Sequence, residues 1–238
     1  MPGKELKAGA RKLMSENAPK LFLISAIVVA IVTIISELQF RLPGVSNAYA
    51  QFVDQVTAGT IPGFGLLYSH LRPAGVALAV LLWLMRPVIE VGYMSYCLKT
   101  TRGEDSGYLD IMDGFLFFGK IILLSVTTSI LIFLWSMLLF FPGIVASYRY
   151  RQAYYILLDA PEKGVLQCIR ESKHLMAGNK LDLFLLDLSF IGWFIVDVAV
   201  TMLLPLPFSL PIISIFLTPY LGLTRAAYYD KLANRFVV

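Results

Sequence analysis

Six predominantly apolar runs, at about 20–40, 75–99, 115–141, 143–159, 180–204 and 208–232, take up most of this chain. An α-helix needs roughly 20 residues, at 1.5 Å each, to cross about 30 Å of hydrocarbon. Five of the runs meet that length, and 143–159 falls a little short. Two amphipathic stretches accompany them. In 4–18, Leu6, Ala10, Leu13 and Asn17 recur at helical spacing, with Lys4, Lys7, Arg11 and Lys12 around them. In 160–178, Val165, Cys168, Ile169, Ser172 and Met176 line one side, while Lys163, Gln167, Arg170, Lys173 and His174 take the other. Both patterns suit helices on an anionic cytoplasmic membrane surface. Asp159, with Glu162 three residues on, reads as the cap of the second. The expected fold class is all-α: a polytopic membrane helix bundle of about six transmembrane helices plus two cytoplasmic-side amphipathic helices. It forms a single integral membrane domain, 1–238, with 1–19 as the basic N-terminal helix, 42–74 as an outer loop and 160–178 as the inner interfacial helix.

Composition agrees with the pattern. Apolar residues make up 58% and charged residues 15%, against about 45–50% and 25% in soluble domains. The run from Leu21 to Ile35 meets Glu37 rather than a nearby cleavage site, so it reads as a retained first span. Segment 42–74 is nearly uncharged and rich in Gly and Pro, which suits an outer cap or partly re-entrant element. The net charge of +4 comes from residues that flank apolar runs, so it marks topology rather than a nucleic-acid surface. Fourteen Lys and Arg residues fall on the segments assigned inside and two, Arg41 and Arg72, on those assigned outside. That bias places both termini in the cytoplasm. A five-span arrangement would instead keep the arm bearing Arg149 out of the bilayer.

Charge inside the apolar runs is the candidate chemistry. The stretch from Leu134 to Asp159 reads as a helical hairpin turned by Pro142 and Gly143, whose second arm carries Arg149 and Arg151 among Tyr148, Tyr150, Tyr154 and Tyr155. A central arginine costs about 2.5–3.5 kcal/mol to insert, so a partner or water is needed. Arg86 and Glu90 stand four apart on one helical face and partly neutralise each other. Glu90, Arg151, Asp187 and Arg225 lie about 9–13 Å from the inner ends at helical rise, and so form one layer. Tyr148 and Tyr155 supply hydroxyls on the Arg151 face. The layer either lines a polar cavity open to the cytoplasm or is a set of interhelical ion pairs that fix register. Arg149 lies about 200° round the helix from Arg151, which leaves it to snorkel, to meet Arg86 or Asp197 through water, or to bind a lipid phosphate.

Other chemistry finds little support. His70 is assigned outside and His174 inside, so no histidine pair forms a metal site. Ser69 and His70 are adjacent, which does not present a nucleophile to a base. Glu104, Asp105, Asp110 and Asp113 lack the ligand alternation of a calcium loop and read as a solvated loop with helix caps. Cys97 and Cys168 have neither metal-site nor disulfide spacing. Trp83, Trp135 and Trp193 suit packing or interfacial anchoring. No cofactor is expected.

From Ser172 the chain reads SKHLMAGNKLDLFLLDLSFIGW. With Pro142-Gly143-Ile144, Tyr155-Ile156-Leu157, Pro219-Tyr220 and Ala227-Tyr228-Tyr229-Asp230, this resembles the bacterial integral membrane protein family catalogued as domain of unknown function 975. The resemblance covers most of the chain except 42–74. It implies a multi-pass bacterial plasma-membrane protein with no established activity. It also implies small or uncharged polar residues where Arg149 and Arg151 stand. The functional expectation is a non-enzymatic membrane protein that binds or transports a small amphipathic or anionic molecule, a lipid or a peptide. The alternative is an accessory, assembly or immunity protein acting through a protein partner. The expected partners are the lipid bilayer and either anionic lipid headgroups or a membrane protein, with no nucleic acid.

Overall fold

Every regular element among the described residues of the computed structural model (3–41, 51, 53–59, 73–203 and 212–234) is helical. In chain order they are α1 Gly3–Glu16, α2 Ala18–Arg41, α3 Pro73–Arg102, α4 Phe118–Leu138, α5 Phe140–Tyr150, α6 Ala153–Asp159, α7 Val165–Leu175, α8 Lys180–Leu188, α9 Ile191–Leu203 and α10 Ile212–Asn234. The α3–α4 connection holds a 3-10 turn, Tyr108–Met112, and a one-turn helix, Asp113–Leu116.

Among the described residues four stretches are long and apolar enough to span a bilayer: Ala18–Gln39, Ala77–Arg102, Phe118–Leu138 and Lys180–Val200, the last running through α8 and α9. Phe133, Met137, Leu138, Trp193, Ile195 and Met202 are each more than half exposed. Apolar surface on this scale belongs against lipid rather than water. The other two expected spans have a different build. The arm 143–159 is divided into α5 and α6 at Arg151–Gln152. Helix α10 has 23 residues but carries Arg225, Asp230 and Lys231 in its C-terminal half.

The chain forms two compact units, 30–86 and 1–29 with 87–238, whose boundaries cut α2 and α3. Within 30–86, Gln39 donates to the carbonyl of Ala79 (3.2 Å), and residues 53–57 make a helical turn that ends at Gly59 with φ +70°. Most of the expected outer loop, with Ser69 and His70, lies outside the described residues.

In the larger unit α4 and α5 share the most extensive helix–helix contact. The reversal falls at Leu139, whose backbone is extended (φ −163°, ψ 150°), and not at Pro142–Gly143 as expected. Pro142 instead occupies the first turn of α5, where its missing N–H costs nothing. Gly143 allows the close approach, since a Cβ there would meet Ser136 Oγ at 2.1 Å. Helix α7 buries Val165, Cys168, Ile169, Ser172 and Leu175 and exposes Gln167, Arg170, Lys173 and His174, as its amphipathic pattern requires. Its cap is Gly164, without a side-chain bond. The expected cap, Asp159, is drawn instead to Arg102, because a bidentate guanidinium outweighs a single backbone N–H.

Helix α1 turns Leu6 and Ala10 onto α10. Glu5 pairs with Lys231 (3.5 Å), and Lys7 Nζ sits 4.2 Å from the centre of the Phe190 ring. Burial, and then Arg11, lowers the Lys7 ammonium below its ordinary range. The α3–α4 connection lies on α3 at Gly92, where a Cβ would come within 1.9 Å of the Ile111 carbonyl oxygen. Asp110 and Asp113 each meet Lys99 at 2.7 Å, and Ser95 donates to Asp113 (2.8 Å). These two carboxylates are therefore paired rather than solvated. Asp110 also caps the turn by accepting from the Gly107 N–H (2.5 Å).

Candidate functional site

Two helix interruptions flank the place where charges from three of the apolar runs meet. One is at Arg151–Gln152, between α5 and α6; the other is at Ser189–Phe190, between α8 and α9. At the second, the Phe190 N–H turns back to the Asp187 carbonyl (2.9 Å), a three-residue closure in place of the α-helical four. Arg151 adjoins the first break and Asp187 the second.

Between them the Asp187 carboxylate, on α8, gathers donors from two other helices, α5 and α10. Arg151 Nη1 donates to Oδ2 at 2.5 Å and the Tyr148 hydroxyl donates to the same oxygen at 3.2 Å. Arg225 Nε and Nη2 both donate to Oδ1, at 3.1 and 3.0 Å. The Asp187 side chain is 14% exposed, and those of Arg151 and Arg225 are 33% and 31% exposed. Arg151 lies over the Tyr148 ring, 5.5 Å from its centre, a cation–π arrangement that suits a desolvated guanidinium. The cluster holds two guanidiniums, which stay charged in proteins, and one carboxylate. Its formal charge is positive.

The four-charge layer expected from the sequence is thus a three-charge cluster on α5, α8 and α10. Glu90 is exposed on α3, and so is Arg86 one turn before it. Tyr155 is buried and stacks on Tyr229 (4.9 Å, 14°) rather than donating to the cluster. Arg149 faces elsewhere: its carbonyl accepts from Ser172 on α7 (2.9 Å), its guanidinium lies 5.9 Å from the Tyr150 ring, and its buried Nε has no acceptor. Asp197, raised as a water-mediated partner for Arg149, caps α10, accepting from the Ile213 N–H (3.1 Å) and Ser214 hydroxyl (2.5 Å).

A second cluster escaped the sequence reading. Arg102, at the end of α3, donates to both oxygens of Asp159 (2.7 and 3.0 Å) and, through Nε and Nη2, to Asp230 (3.1 and 2.9 Å). Tyr229 donates to Asp159 at 2.6 Å, so the Tyr155–Tyr229 stack runs up to this clamp. The available signal was position. Arg102, Asp159 and Asp230 each stand at the end of an apolar run that the sequence reading assigned to one side, and opposite charges on one side have reason to pair.

Guanidiniums gathered around a single carboxylate can hold an anion by charge and directed hydrogen bonds. Among the described residues no group of three or more His, Cys, Asp or Glu side chains is placed to hold a metal ion, and Cys97 and Cys168 are buried free thiols. Fold and site together define a multi-helix membrane protein with a positively charged ion-pair cluster at interrupted helices. Residues 137–236 match the family model described as protein of unknown function (DUF975), the family the Pro-Gly-Ile and SFIGW motifs resemble. The match contains Tyr148, Arg151, Asp187 and Arg225 and leaves out Arg102. No curated protein and no solved structure matches the chain.

Proposed function

We propose that this chain is a six-span bacterial plasma-membrane protein with both termini in the cytoplasm, which binds or moves a small amphipathic or anionic molecule at the Arg151–Asp187–Arg225 cluster without transforming it chemically. The observation that carries this reading is the coincidence of the cluster with two helix breaks. At both, the backbone of Arg151, Gln152 and Ser189 stays right-handed helical and only the turn tightens. Tightened turns inside a helix often mark functional sites. Ion pairs that only fixed helix register would need no interruption.

The test is purification of the full chain in mild detergent, followed by native mass spectrometry of whatever small molecule comes with it. One amphiphile or small anion per chain, lost in Arg151→Leu while helicity and monodispersity persist, is the expected result. Ligand-free wild-type protein, or a stoichiometric protein partner with no small molecule, would overturn the reading, the latter in favour of an accessory role.

A further inference from the structure

Resting on that reading, we infer that the cluster is a binding site for a monoanionic oxyanion of the phosphate type, held by the Nε–Nη2 edge of Arg151 with help from Arg225 Nη1. Asp187 takes only Nη1 of Arg151, whereas on Arg225 it takes the paired Nε and Nη2. Arg151 Nε and Nη2, and Arg225 Nη1, have no hydrogen-bond partner among the described residues. The Nε–Nη2 edge of a guanidinium is the fork that matches two oxygens of a phosphate or carboxylate. Because Tyr148 covers a face of the Arg151 plane, a ligand is steered to the edge. Both arginines remain about one-third exposed, although their shared carboxylate is mostly buried. Part of each arginine side chain is therefore open to a ligand.

Charge then sets the class. Two guanidiniums and one carboxylate leave one positive charge uncompensated, and arginine does not shed a proton to relieve it. An unpaired charge inside a bilayer is costly. One negative charge with at least two acceptor oxygens completes the cluster; a phosphodiester supplies both, as does the monoanion of inorganic phosphate. A phosphocholine headgroup brings its own cation and adds no net charge. Asp187 competes with the ligand for the same guanidiniums, so neutralising it should tighten binding.

The full-length protein is reconstituted in nanodiscs of phosphatidylcholine. It is titrated in one arm with phosphatidylglycerol, read by native mass spectrometry, and in the other with inorganic phosphate, read by calorimetry. Wild type should prefer phosphatidylglycerol over phosphatidylcholine by about tenfold or bind phosphate, the arm that responds naming the source. Arg151→Lys, which keeps the charge but loses the fork, should weaken that binding by about tenfold. Asp187→Asn should strengthen it several-fold, an effect that a purely structural ion pair would not give. Absence of both the lipid preference and phosphate binding in wild type overturns the inference without any variant. Equal binding by Arg151→Lys does so as well. If the protein instead retains a neutral or zwitterionic amphiphile through Arg151, the monoanion inference falls while the proposed function stands; if no ligand depends on Arg151, both fall.

Discussion

Arg149 and Arg151 are two residues apart and have opposite surroundings. Depth counting along the sequence brought Arg151, Asp187 and Arg225 together, because a charge in hydrocarbon must find its complement at equal depth. The same counting gave Arg149 no equally good partner, and its Nε has none among the described residues. It could not show that Asp197 caps a helix from the middle of another, since a cap made across tertiary contact leaves no local spacing. Nor did it bring out Arg102, whose partners lie 57 and 128 residues away. Arg102→Ala should lower stability by about 1–2 kcal/mol, more than an exposed pair because two carboxylates lose their donor, and less than a fully buried one. A thermal shift of the detergent-solubilised protein measures this. Asp110 offers a pH signature. Burial raises its carboxyl, but hydrogen bonds from Lys99 and the Gly107 N–H outweigh burial and leave it below the ordinary range. A depressed folded-state value means that the stabilisation is complete above the unfolded value, about 3.9, and fades as pH falls through the lower folded one. The protection factor of the Gly107 amide, its exchange rate corrected for the intrinsic pH dependence, should therefore hold from neutral pH to about 5 and fall below about 4, and Asp110→Asn should abolish that acid step.

At the scale of elements, periodicity and the apolar runs located the long helices, but not the joints between them nor the short turns Tyr108–Met112 and Asp113–Leu116. The breaks at Arg151–Gln152 and Ser189–Phe190 contain neither Pro nor Gly, so nothing in local propensity marks them. The hairpin reversal at Leu139 was missed for the opposite reason: Pro142–Gly143 is a strong turn signal, spent here on a helix's first turn and a close approach. The amphipathic face of α7 was legible because burial on a helix follows a fixed period. The face of α1 was legible too, yet its burial against α10 was not, since the same pattern suits a membrane surface and a neighbouring helix equally. Gly92 gives the sharpest test at this level. A methyl there has no room before the Ile111 carbonyl, and backbone cannot swing aside as a side chain can. Gly92→Ala should cost about 1–3 kcal/mol and speed amide exchange across Tyr108–Leu116, read in one hydrogen-exchange experiment.

For the whole molecule, the sequence established a helical membrane protein and left the number of crossings to two segments, the α5–α6 arm and α10. Their hydropathy is lowered by the charges that make the site, which is why length and apolarity alone find four spans. Six crossings can be tested with single cysteines in a background lacking Cys97 and Cys168. Phe141→Cys should react with an impermeant maleimide from outside intact cells, and Leu166→Cys only after permeabilisation; reaction of both from one side would remove the arm from the bilayer. On the six-crossing reading, the three-helix cluster also dictates an order of assembly. Arg151 leaves the ribosome 36 residues before Asp187, and Arg225 38 residues after it. The arm bearing Arg151 reaches the translocon before its carboxylate exists, and that carboxylate is first shared by two arginines only when the last helix arrives. The C-terminal half should then enter the bilayer as one delayed unit, with chains stopped before residue 180 leaving the arm at the membrane surface.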